Sequence, residues 1–81
     1  MKQITIYDLL PLLNDGYVAM DEDGDWFWYW KKPIIFEDSD KWMPYKATSK
    51  VEKIPEQLFD IAPFDGDWKD SLIKVEHNEE E

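Results

Sequence analysis

The 81-residue chain has no cysteine at all, one histidine, three glycines and only nine basic residues against nineteen acidic ones. Each shortage removes a class of function. Without cysteine there is no disulfide framework and no thiolate metal site, which suits a reducing cytoplasm. No apolar run approaches the roughly 20 residues of a membrane span, and Met1-Lys2-Gln3-Ile4-Thr5 carries no signal-peptide core, so a soluble cytoplasmic protein is expected, with no membrane partner. A net charge of −10 disfavours general attraction to nucleic acid or to an anionic membrane, so no direct nucleic-acid binding is expected. It leaves room for a small anion held by a local basic pocket, and for an acidic surface that imitates nucleic acid toward a DNA-binding protein.

Catalytic and metal chemistry is equally thinly represented. His77, the lone histidine, stands in an acidic terminal stretch with no serine, cysteine or organised carboxylate beside it. There is no phosphate-cradling glycine loop. The run Asp21-Glu22-Asp23-Gly24-Asp25 alternates carboxylates, yet its glycine is at position 4 and Lys32 at position 12, where a calcium loop needs glycine at 6 and glutamate at 12. These readings point to a non-enzymatic protein without cofactor, catalytic residues or metal ligands.

What the chain does have is aromatics, concentrated in Trp26-Phe27-Trp28-Tyr29-Trp30. Bulky rings crowd a helical turn but fit a pleated strand, so a strand is expected there, with Trp26, Trp28 and Trp30 on one face and Phe27 and Tyr29 on the other. Neither face alternates with polar residues, so the strand should be central and covered on both sides. Around it, Ile6, Leu9, Leu10, Leu13 and Tyr17 follow the spacing of one helical stripe. Thr5 and Asp8 have the spacing of a capping box, with Pro11 then requiring a kink; otherwise Asp8 is the cap and Pro11 lies in the first turn. Asn14-Asp15-Gly16 should end the helix, Gly16 taking the left-handed position.

Tyr17-Val18-Ala19-Met20 reads as a strand joined through the acidic loop to the aromatic strand in a hairpin. Lys31-Lys32-Pro33 ends that strand. Ile34-Ile35-Phe36 is expected as a short strand, residues 37–41 as a turn, and Trp42-Met43-Pro44-Tyr45-Lys46 as an edge strand. A polar, mobile connection over 47–53 and a helical turn at Pro55-Glu56-Gln57-Leu58-Phe59 should follow. Residues 61–68 should form a loop pinned at Phe64 and Trp68, and Leu72-Ile73-Lys74-Val75 a last strand. The expected fold is α+β: an antiparallel sheet of about four to five strands with one short N-terminal helix on one face, residues 1–76 forming a single domain and 77–81 an acidic, frayed tail.

Binding is the remaining function class. Trp26, Trp28, Trp30 and Trp42, with Lys31 and Lys32, are the candidate ligand-binding residues, because an aromatic face can stack on a base while a lysine meets a phosphate. Lys41 and Lys46 could join them if the strands converge. For any single aromatic, burial in the core is the competing expectation, and an exposed row of rings would equally serve self-association into a homo-oligomer.

The order of elements carries a resemblance. Leu9-Leu10, then Leu12-Leu13-Asn14-Asp15-Gly16-Tyr17-Val18-Ala19, a tryptophan-rich hairpin, and Ile61-Ala62 running to Asp67-Trp68 before an apolar strand resemble small phage and prophage proteins. More loosely, the succession is similar to the phage Thoeris anti-defence family of the second type. That resemblance implies a homo-oligomer that sequesters a small signalling nucleotide and so silences host defence. Where that family carries a basic residue and Gly-Trp after its valine strand, this chain has Met20-Asp21-Glu22-Asp23-Gly24-Asp25. The reading from a different class is an acidic inhibitor, a DNA mimic included, that binds a host nuclease or other DNA-binding defence protein.

Overall fold

Apolar side chains alternating along three segments build the sheet on which everything else rests. The structure, a computed structural model, describes residues 3–36, 39–46, 49–55 and 57–77. β2 (Gly16–Met20) and β3 (Trp26–Tyr29) form an antiparallel hairpin, Val18 opposite Trp28 and Met20 opposite Trp26. β4 (Val51–Lys53) adds to the free side of β3, and β6 (Ile73–Val75) to the free side of β2, giving the order β4-β3-β2-β6, antiparallel throughout. A second, two-stranded parallel sheet joins β1 (Gln3–Ile4) to β5 (Asp60–Ile61). The architecture is α+β, as expected, with the aromatic strand interior to its sheet. No helix of the described residues is long and apolar enough to cross a membrane.

The N-terminal helix is short because proline divides it. α1 (Ile6–Leu9) starts at Thr5, whose N–H donates to Asp8 Oδ2 at 2.9 Å, so the Thr5 cap of the two alternatives is the one formed. The chain then tightens into a 3-10 turn, Leu10–Leu12, which accommodates Pro11 without breaking an α-helical ladder. Ile6 and Leu9 are buried against Val18, Met20, Trp26, Ile54 and Val75 on one face of the sheet.

The opposite face is closed by a different segment. Residues 33–36 and 39–45 fold back over Ala19 and Tyr29, with Trp42 buried against them and Ile35 and Leu72 packed around. A pair of backbone bonds, Ile34 N–H to Met43 O at 2.9 Å and Met43 N–H to Ile34 O at 2.8 Å, closes this excursion on itself. Three expectations are corrected here. Residues 34–36 form one bridge and not a strand. Residues 42–46 are a cover over the sheet and not an edge strand, because Trp42 is too large and apolar to remain at an edge and instead fills the second core. The edge position is taken by Val51-Glu52-Lys53, within the stretch expected to be a mobile connection: its one apolar residue and two charges are what a solvated edge tolerates.

Gly16 also departs from expectation. It is buried in β2, not in a left-handed cap, and a Cβ there would lie 2.6 Å from Tyr29 O and 2.9 Å from the Trp28 ring. Glycine is required by the indole packed across it. The left-handed glycine of the hairpin is Gly24, φ 96°, where the Asp21–Asp25 loop turns.

The loop 61–68 is pinned as expected, Phe64 and Trp68 both packing on the first core, and Leu58 N–H closes a turn on Pro55 O. Ser71, fully buried where β6 begins, accepts the Met20 N–H at 2.8 Å and lies 2.7 Å from Trp68 O. His77 is tied back: its N–H donates to Asp15 Oδ1 at 3.2 Å and its Nε2 lies 3.1 Å from Leu10 O. Glu37 and Asp38 of the expected turn, Ala47 and Thr48 of the expected connection, Glu56 of the expected helical turn, and residues 78–81 of the expected tail lie outside the described residues.

Candidate functional site

Where β3 runs out, its last ring stops being core. Tyr29 is 2% exposed, whereas Trp30, one residue on, is 56% exposed. Trp30 remains fixed through its N–H, which donates to Lys50 O at 3.0 Å and carries the β3–β4 pairing one residue past the strand. Lys31 and Lys32 then lead to Pro33, whose fully buried ring anchors the start of the covering segment. That segment returns through the Ile34–Met43 bridge, which delivers Tyr45 and Lys46 to the same corner. A turn closed by Ser49 N–H on Lys46 O, at 2.9 Å, leads on towards β4.

The result is an open groove of about 660 Å³ lined by Trp30, Lys31, Lys32, Ile34, Tyr45, Lys46 and Ser49. Its volume is in the range of small-molecule sites. Two exposed rings stand in it, each with an ammonium over its face: Lys31 Nζ is 5.1 Å from the Trp30 ring centre and Lys46 Nζ 5.8 Å from that of Tyr45. No carboxylate is among the described residues that line it. On a protein of net charge −10, three lysines converging without an acidic partner in the lining make a local site of the opposite sign.

The other end of β3 has the reverse character. Asp21, Glu22, Asp23, Asp25 and Asp40 surround a depression of about 400 Å³ that also takes in Phe27 and Lys41. Asp21 is the buried member, 8% exposed, and accepts the Trp42 N–H at 2.9 Å. Burial is the main influence on its carboxyl and raises its pKa above the ordinary 3.8, the Trp42 hydrogen bond opposing. Tyr29, whose hydroxyl reaches Trp42 O at 3.4 Å, has its phenol pKa raised by the same burial and by Asp21. Asp21 and Tyr29 thus hold Trp42 from both sides and are architectural.

Of the six residues expected to bind ligand, the structure gathers Trp30, Lys31 and Lys32. Trp26, 3% exposed, is in the helix-side core. Trp28 is half-buried on the same face, its Nε1 donating to Asn14 O at 3.0 Å. Trp42 is in the opposite core. Lys46 joins the groove, while Lys41 lies at the acidic end. Tyr45 is the groove aromatic that the sequence reading missed, and Ile34 and Ser49 line the groove beside it. The signal was present in the repeated aromatic–lysine dipeptide, Trp30-Lys31 and Tyr45-Lys46, although Trp68-Lys69 shows the same pattern outside the groove.

No protein-family model, no curated protein and no solved structure shows significant similarity to this chain.

Proposed function

We propose that this protein is a non-enzymatic binder that sequesters a small signalling nucleotide in the groove formed by Trp30, Lys31, Lys32, Tyr45 and Lys46, acting as a phage or prophage anti-defence protein. The observation that carries the chemistry is the convergence of two solvent-facing rings and three ammonium groups in one groove. A base has a π-face that any aromatic side chain can stack on, and an ammonium close by meets the phosphate as a point charge. Each of these contacts is only available because β3 ends at Tyr29 and leaves Trp30 outside the core. The cellular role follows the resemblance to small phage proteins.

The test is a titration of the full chain with a panel of cyclic and linear nucleotides at physiological salt, read by tryptophan fluorescence and by thermal shift. Saturable quenching with a rise in Tm is expected, since a ligand that binds only the folded state stabilises it. Trp30→Ala should weaken binding by about 5- to 150-fold, the worth of one stacked base, while leaving the circular dichroism unchanged. A flat response over a panel that includes the cyclic ADP-ribose isomers would refute nucleotide sequestration.

The carboxylates at the far end of β3 favour a second reading, an acidic inhibitor that occupies a host nuclease or another DNA-binding protein. It requires a protein partner whose binding weakens with salt and with Glu22→Gln/Asp23→Asn, and is indifferent to Trp30→Ala.

A further inference from the structure

The four-stranded sheet stops at β6, and the backbone of β6 has two distinct sides. His77 N–H points toward β2, reaching Asp15 Oδ1 at 3.2 Å. From the other side of the seam, Met20 N–H points toward β6, donating to Ser71 Oγ. Backbone groups alternate along a strand, so Ile73 and Val75 exchange their bonds with Val18 and Gly16, and the N–H and C=O groups of Lys74 and Glu76 face away from the sheet. No described strand lies beyond them. Side chains alternate too: Val75 is buried on the helix side, while Lys74 and Glu76 stand on the other face, 61% and 67% exposed, with Lys74 Nζ 3.6 Å from Glu76 Oε1.

We infer that β6 is a self-pairing edge, at which a second copy of this chain adds its own β6 antiparallel about a two-fold axis through Val75. In that register Lys74 lies opposite Glu76 of the second copy, and Glu76 opposite its Lys74. The outward backbone groups of these residues are the ones a hydrogen-bonded antiparallel pair exchanges, two bonds for each pairing. The side chains match as well. Each lysine faces a glutamate across the seam on one face; on the other, Val75 is already buried within its own chain, so the match rests on the backbone groups and the two charge pairs. A Lys–Glu pair two residues apart in one strand becomes two pairs between strands, and the two sheets join into one continuous sheet.

The opposite edge lacks this complementarity. Trp30 N–H to Lys50 O and Ile54 N–H to Trp26 O direct residues 50, 52 and 54 toward β3, leaving 51 and 53 outward. Self-pairing of β4 in the register that exchanges bonds between residues 51 and 53 would set Glu52 against Glu52 of the second copy, and Lys53 is already engaged with Asp25 at 3.5 Å. In the register that uses both outward residues of the strand, β6 is the edge that matches itself. It lies at the edge away from the groove, so the inference does not depend on the proposed ligand.

A seam of one short strand falls at the low end of interface sizes, so association should be weak and show only at high protein concentration. Sedimentation equilibrium of the full chain over a concentration series, at physiological ionic strength, should show the mass rising from 9.8 kDa toward twice that value. Lys74→Glu and Glu76→Lys each set like charges across both pairings and should weaken association by about tenfold or more. The double variant K74E/E76K should restore it, and an equimolar mixture of the two single variants should associate with each other. Circular dichroism on each variant separates loss of pairing from loss of fold. A monomer throughout the series overturns the inference, Lys74 then guarding the edge against pairing. So does a dimer that folded single variants leave intact, or that the double variant fails to restore.

Discussion

The two faces of the four-stranded sheet are closed by different physics. On the helix side, Ile6, Leu9, Val18, Met20, Trp26, Ile54 and Val75 come from five separate parts of the chain and meet almost entirely through apolar contact. On the other side, a single excursion lays Trp42 over Ala19 and Tyr29, and polar bonds fix it: Asp21 takes its N–H, Tyr29 reaches its carbonyl, and Trp42 Nε1 lies 3.4 Å from Trp68 O. An apolar core assembled from many segments depends on volume. A lid made of one segment also depends on where its few hydrogen bonds point. The groove follows from the second arrangement, because the same excursion that carries Trp42 inward carries Tyr45 and Lys46 outward to meet Trp30.

Removing volume from the helix side should give the largest effect. Trp26→Ala is expected to lose about 3–5 kcal/mol in urea denaturation. A domain of this size holds on the order of 4–12 kcal/mol in all, so the variant should be marginal or unfolded. Next comes Gly16→Ala, which adds one carbon within 2.6 Å of Tyr29 O and 2.9 Å of the Trp28 ring. Overpacking against backbone should cost about 1–3 kcal/mol or more, and the shifted indole should report it as a change in near-ultraviolet circular dichroism.

On the lid side the chemistry of the acceptor should decide the result. Asp21→Ala leaves the Trp42 N–H without its acceptor and should cost about 1–3 kcal/mol, whereas Asp21→Asn keeps an oxygen there and should leave neutral-pH stability unchanged or higher. The pair also has a pH signature. Burial raises the folded carboxyl above the 3.8 of the unfolded chain, so the folded state holds this proton more tightly. Its contribution is therefore greatest below 3.8 and is lost as pH rises through the raised folded value. Denaturation midpoints measured across the acid range should show that segment in the parent and not in Asp21→Asn. If Asp21→Ala and Asp21→Asn behave alike, the lid is held by packing alone and the contrast between the faces fails. The smallest effect belongs to the exposed helix cap, where Asp8→Ala should cost about 1 kcal/mol by calorimetry.

The period-two pattern of Trp26 to Tyr29 was legible because side-chain direction along a strand is a local property. Trp26 and Trp28 do share one face, and Tyr29 takes the other, as the alternation requires. Gly16 was misread for the complementary reason. Asn14-Asp15-Gly16 has the local chemistry of a helix terminus, and nothing near it in the chain announces the indole of Trp28 that needs the missing Cβ. β4 was hidden by its composition, since Val51-Glu52-Lys53 alone has no apolar face and becomes a strand only because β3 offers an edge. For the site, the lysines and Trp30 could be named from sequence, but their convergence depends on how the stretches that carry Ile34, Trp42 and Tyr45 lie across the sheet. The same crossing takes Trp42 out of the candidate set.

The two ends of β3 are oppositely charged on a molecule that is strongly negative as a whole, and this has a kinetic consequence. An anion arriving from solution first meets the field of the whole chain, −10, and is repelled. Only within about 8 Å, the screening distance at physiological ionic strength, does the cluster of Lys31, Lys32 and Lys46 dominate what it feels. Added salt therefore acts in opposite directions on the two stages of an encounter, speeding the approach by screening the long-range repulsion and loosening the final contact by screening the lysines.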